Sequence, residues 1–218
     1  MALNIGGSGE YRDIIKFNAQ VGRWKLRSGD AEDEIETPTM VMDLANIATG
    51  WLRFLEGSAP NRRMDPAVGA DAPRPSESHK RGFMVLCYST KSFNGVAELS
   101  SGSMHISNAI KELHSKFEEM CGEHPGKLPV VACTGTTEKP GKFGTNHKPT
   151  FEIVDWADRP EDLPDESPVD PSEIWNGGGG TAPAAVAPAR PTRAAHSPEA
   201  EEQPAANDEP ASKAEALF

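Results

Sequence analysis

RGFMVLCYS, residues 81–89, is apolar at almost every position. In an extended chain alternate side chains point to opposite faces, so a run without polar alternation belongs in the middle of a sheet. A short strand, GVAELSS (95–101), is expected after it. The pattern then changes period. Ile106, Ile110, Leu113, Phe117 and Met120 recur every three or four residues, which places one apolar stripe on a helix over 103–121. Gly122 is a natural stop for that helix. KLPVVACTG (127–135) and KPTFEIVDW (148–156) read as two further strands, joined by a loop, TTEKPGKFGTNH.

Upstream of residue 81, YRDIIKF (11–17), GRWKLR (22–27), PTMVMDL (38–44) and TGWLRFLEG (49–57) read as strands, and SGDAEDEIE (28–36) as an acidic loop. In GRWKLR, Trp24 and Leu26 fall on one face and Arg23, Lys25 and Arg27 on the other. Residues 58–80 form a long connection rich in Pro, Ala and Ser, of the kind that is usually functional or mobile. Several strands, one helix and two more strands is the element order of an OB-fold. That fold is a five-stranded Greek-key barrel with its helix between the third and fourth strands. The predicted class is therefore mainly β, OB-fold-like, with an α+β sandwich as the alternative.

Charge divides the chain. The formal net charge is −11, yet residues 1–160 carry 19 Lys+Arg against 21 Asp+Glu, whereas 161–218 carry 3 against 12. The last segment is dominated by Pro, Ala, Gly and acids, and it contains the tetraglycine Gly177–Gly180. Such a composition buries too little apolar surface to offset the entropy of ordering. The expected organisation is a flexible N-terminus (1–10), a binding domain (11–160) and a disordered acidic tail (161–218). No run approaches the roughly 18 apolar residues of a membrane span. The first residues lack the basic and apolar regions of a signal peptide. Cys87, Cys121 and Cys133 are odd in number and well separated, which suits reduced thiols in a cytoplasmic setting.

HKRGFMVLCYS, the single helix, LPVVACTG, GTNHKPTFEIVDWADRP and an acidic tail ending in Phe218 together resemble the OB-fold single-stranded-DNA-binding proteins of tailed bacteriophages. The resemblance covers roughly 11–160 by pattern and the tail by composition. It implies sequence-tolerant binding of single-stranded DNA. It also implies recruitment of replication or recombination proteins through the tail, with Glu215, Leu217 and Phe218 as the docking end. The tail departs from the family in lacking a dense acidic run before its final aromatic.

Single strands are held by cations that follow phosphates and by aromatics that stack on bases. Basic and aromatic residues interleave in the body. Lys16, Arg23, Lys25, Trp51 and Arg53 lie in predicted strands, and Lys80, Arg81, Tyr88, Lys91, Phe93, Lys139, Lys142, Phe143, His147 and Lys148 at strand ends or in loops. All are candidate DNA contacts. Phe93 and Phe143, beside Gly95 and Gly144, are the stacking candidates, with Trp51, Tyr88 and Trp156 next. Phe17, Trp24, Phe54, Phe83 and Phe151 read as core.

Enzyme motifs fail. Five residues separate Gly135 from Gly141–Lys142, and Phe143 stands where a phosphate loop needs Ser or Thr. His79, His105, His114, His124 and His147 show no ligand spacing, no GxSxG is present, and the cysteines sit in apolar surroundings. No catalytic activity, cofactor or metal is expected. The expected function is protection of single-stranded DNA in replication, recombination or repair, in the cytoplasm (the host's, for a virus), with a homodimer as the candidate assembly. The alternative is a phage interaction or structural module whose OB-like barrel binds protein.

Overall fold

The computed structural model describes residues 12–54, 60–141 and 144–176. Ten strands and one long helix follow in the order β1 (Asp13–Asn18), β2 (Arg23–Ser28), β3 (Ala31–Ile35), β4 (Thr39–Met42), β5 (Ala48–Arg53), β6 (Asn61–Met64), β7 (Lys80–Ser89), β8 (Gly95–Ser101), α1 (Met104–Met120), β9 (Lys127–Gly141) and β10 (Gly144–Asp158). The protein is mainly β, as its alternating and apolar runs require.

The strands form one mixed sheet in the order β10-β9-β4-β7-β8-β1-β2-β3, with β5 pairing β7 and β6. β7, the apolar run, lies inside it and pairs with β4, β5 and β8. A short 3-10 turn, Leu44–Asn46, bends the chain between β4 and β5, so both halves of this bent path lie along β7. The sheet is not closed. The other edge of β8 is taken by β1, in the sheet's parallel pairing. The expected closed, five-stranded barrel is therefore replaced by an open sheet of ten strands.

Two predicted loops are strands. SGDAEDEIE forms β3, because Gly29 (φ 62°) opens a two-residue turn between the paired Ser28 and Ala31. Its Glu32 and Glu34 are matched to Lys16, Lys25 and Arg23 on β1 and β2, which compensates for the low β-propensity of Asp and Glu. The loop joining the last two strands is mostly hairpin, since β9 and β10 stay paired out to Gly141 and Gly144.

The main core lies between the inner face of the sheet and α1. Ile106, Ile110, Leu113 and Phe117 are buried against Ile15, Trp24, Met42, Val85 and Leu99, as the helix stripe predicts. Phe83 and Phe151 are buried here too, and Phe17 packs at the edge. Trp24 faces Phe151 across a 5.9 Å centroid separation, so the β1–β2 hairpin approaches β10 through side chains.

Residues 159–176 correct the predicted start of the tail. They run back over the body as an ordered strap. Leu163 is buried with Leu86 and Leu128, and Val169 with Leu52, Met64 and Met84. Ile174 makes a parallel bridge to Met64, and the Trp175 N–H donates to the Met64 carbonyl at 2.9 Å. Three apolar side chains, spaced widely among prolines and acids, are enough to anchor it. The tail beyond residue 176 lies outside the described residues.

Candidate nucleic-acid interface

The site is built around Trp51. Residues Thr49, Trp51 and Arg53 alternate onto one face of β5. Directly opposite Trp51 stand Arg63 on β6 and Arg81 on β7. Cross-strand partners share a face, so the indole sits between two arginine-bearing strands. The connection between β6 and β7 adds a third arginine. The guanidinium carbon of Arg74 lies 5.4 Å from the ring centroid and that of Arg81 5.8 Å. Both lie within the distance at which the ring's negative face attracts a cation.

Buried polar groups hold this arrangement. The indole N–H donates to the Ala72 carbonyl at 2.7 Å, and the Ala72 N–H donates to Asp65 Oδ1 at 2.8 Å. Asp65 also accepts from the Thr49 hydroxyl and from both ends of the Arg81 guanidinium. Burial opposes ionisation of Asp65. The hydrogen bonds from Arg81, Thr49 and the Ala72 amide outweigh it and hold the carboxyl below its ordinary range. Arg81 is thus committed to Asp65 and Asp71.

His79 closes the loop. Its Nδ1 lies 2.8 Å from the Ser76 hydroxyl and its Nε2 2.9 Å from Asn61 Oδ1. The Asn61 oxygen accepts the Nε2 proton, so Nδ1 accepts from Ser76. Burial, and then the charges of Arg53, Arg63 and Arg74, lower the His79 pKa. The imidazole is therefore neutral at physiological pH and adds no charge to that of the three arginines. Among the described residues none of Arg53, Arg63 and Arg74 forms an ion pair with a carboxylate. A groove of about 880 Å³ runs from this face to α1. Its lining carries Arg74, Lys80, Arg81 and Lys111 against a single acid, Asp71.

The other expected contacts divide sharply. Lys16 and Lys25 both bind Glu32, at 3.3 and 2.6 Å, and Arg23 binds Glu34, so β3 neutralises these three cations of β1 and β2. Lys148 is tied to Glu112 of α1. His147 is half-buried against the β1–β2 turn. Its backbone N–H donates to the Ala19 carbonyl at 2.6 Å, and a Cβ at Gly22 (φ 69°) would lie 2.9 Å from its ring. Tyr88 packs against Leu86, Leu128 and Leu163. Lys91 and Lys139 are exposed and unpaired among the described residues, but both lie away from the Trp51 lining.

Two aromatics exchange roles. Phe93, expected to stack on bases, is 5% exposed and belongs to the main core. Phe54, expected in the core, is 51% exposed. Lys142, Phe143, Glu215, Leu217 and Phe218 lie outside the described residues. Of the predicted contacts, the structure gathers Trp51, Arg53, Lys80 and Arg81. It adds Arg63, Arg74, His79 and Lys111, which the sequence reading did not single out. The signal for the first three was the basic content of the long connection, NRRM followed by RPSESHK.

No family model matches the chain, and no curated protein or solved structure matches it either.

Proposed function

We propose that this chain binds single-stranded DNA without strong sequence preference. It would protect single strands in replication, recombination or repair and recruit partner proteins through its acidic tail. The observation that carries this reading is the set of guanidiniums around Trp51, three of them with no carboxylate partner among the described residues. Arg74 donates to the His79 and Glu77 carbonyls, which leave its charge uncompensated. A cation with no carboxylate beside it keeps its charge for phosphates, whose counterions are released on binding. Guanidinium planes laid over an indole also offer flat surfaces to bases. Only an unstacked base can meet them, which favours single strands over duplex.

Strand order supports an OB-like descent for the sheet. With the bent β4–β5 path as first strand, β7 as second, β8 as third and β9 as fourth, the order β9-β4-β7-β8 is a Greek key. The helix falls between the third and fourth strands, and β10 follows β9 at the sheet edge. OB-folds bind ligand on the second and third strands and in the loop between the first and second. Here that loop carries Arg63, Arg74 and His79. The hairpin β1–β2 occupies the gap that a closed barrel would not have.

Titration of labelled oligo-dT and of duplex, at about 50 and 200 mM salt, tests the proposal. Tighter binding of oligo-dT that weakens steeply with salt is expected. Equal affinity for duplex, or binding indifferent to salt, overturns it.

A further inference from the structure

Phe54 directly follows β5 and is the single aromatic among the large hydrophobic side chains left exposed in the described residues. It lines a cleft of about 350 Å³ together with Lys16, Phe17, Arg27, Ser100 and Ser101. The character of this cleft differs from that of the core. Its lining combines two aromatic rings, two hydroxyls and two cations, of which Lys16 is already paired with Glu32. Arg27 uses its Nε to donate to the Gly29 carbonyl at 3.1 Å and forms no ion pair among the described residues. Its terminal nitrogens are therefore held at the cleft with donor capacity to spare.

The cleft adjoins the arginine face through one residue. Lys80 lines the larger groove, and its Cβ lies 3.0 Å from where a Cβ on Gly102 would stand, next to Ser101 of the cleft. Within the chain, Arg53 faces the Trp51 patch and the next residue, Phe54, enters the cleft. Phe54 and Arg27 line the same cleft, so a strand that continues past Lys80 would find both a ring and a cation there. A half-exposed phenylalanine is an unfavourable surface in water, and a nucleobase stacked on it removes one face of each ring from solvent.

We propose that this cleft is a second nucleobase site for the same strand: one base stacks on Phe54, and Arg27 holds a flanking phosphate. The inference rests on the proposed single-strand binding and extends it from one patch to a path across two.

Two oligo-dT lengths test it on the full chain, one of about 4 nucleotides and one of about 20, which bracket the roughly 4–16 nucleotides one OB-fold holds. Phe54→Ala should weaken the longer oligomer about 5- to 150-fold, the loss of one stacking contact, and leave the shorter nearly unchanged. Phe54→Trp, which keeps a flat ring, should restore the longer one. Arg74→Ala should weaken both. Wild-type affinity of Phe54→Ala for the longer oligomer, with Arg74→Ala still impaired, overturns the second site and leaves the first standing. Failure of the unaltered protein to bind either length overturns the underlying function instead. Crosslinking with iododeoxyuridine in the longer oligomer should mark the peptide that contains Phe54, and a crosslink confined to the Trp51 strand counts against the cleft.

Discussion

Arg159, one residue beyond β10, donates to Asp43 at 2.8 Å across the bend between β4 and β5. The Asp43 side chain is 1% exposed, so its charge is almost wholly withdrawn from water. A second guanidinium nitrogen reaches the other carboxylate oxygen at 3.2 Å, which makes the pair bidentate. The pair ties the end of the β9–β10 hairpin to the corner on which β5 turns toward the arginine face. Asp43→Ala would leave Arg159 half-buried without its main partner, and Arg159→Ala would leave Asp43 buried and unpaired. Each is expected to cost about 3–5 kcal/mol by urea denaturation. Replacing both together by apolar residues of similar volume should cost less than either alone.

The strap makes a prediction about where the folded body ends. Leu163, Val169 and Ile174 cover Leu86, Leu128, Leu52, Met64 and Met84. A chain ending after residue 176 should melt like the full-length protein, and one ending after residue 160 should melt lower. Leu163→Ala alone should cost about 2–5 kcal/mol, the usual range for a truncated buried leucine. Equal melting of the two shortened chains would mean that the strap contributes nothing to stability.

What the sequence disclosed follows from which signals are local. The stripe Ile106–Ile110–Leu113–Phe117 and the apolar run of β7 were legible because burial and period coincide there. β3 and β6 were not, because AEDEI and NRRM carry polar side chains whose strand pairing depends on partners elsewhere. The strap was hidden for the converse reason: its few apolar residues lie too far apart to form a period. At the site, the interleaving of basic and aromatic residues pointed to Trp51, Arg53, Lys80 and Arg81 but not to Arg63 or Arg74, and it could not tell paired cations from unpaired ones. Lys25 and Arg63 look alike in the chain, and only the fold sets Glu32 beside one and an indole beside the other.

His79 gives stability a pH dependence with a defined sign. Its folded pKa is lowered, first by burial and then by Arg53, Arg63 and Arg74, from an unfolded value of about 6.5. Between the folded and unfolded values the unfolded chain binds more protons. The contribution of His79 is therefore complete above about pH 6.5 and is lost as pH falls through the folded value. Asp65, also lowered, acts only below the ordinary carboxylate range and does not enter this window. The melting temperature should fall from about pH 7 to about pH 5, and His79→Gln should flatten that slope while starting from a lower plateau. An unchanged slope in His79→Gln would assign the acid sensitivity to another group.

Salt dependence separates free cations from neutralised ones. Each phosphate contact on a single strand contributes a slope of about 0.7 in log affinity against log salt. Arg63→Ala and Arg74→Ala should each lower the slope by about that amount, because neither residue has a carboxylate partner among the described residues. Arg74→Ala should also weaken binding at every salt concentration, since its guanidinium covers the Trp51 ring. Lys148→Ala should leave the slope unchanged, because Glu112 already takes up that charge. Arg23→Ala, whose partner is Glu34, should behave like Lys148→Ala. Measured by fluorescence anisotropy at four or so salt concentrations, the four variants should fall into two pairs. If Arg23→Ala and Lys148→Ala lower the slope while Arg63→Ala and Arg74→Ala do not, the strand runs along β1, β2 and β10, and the Trp51 face is not its site.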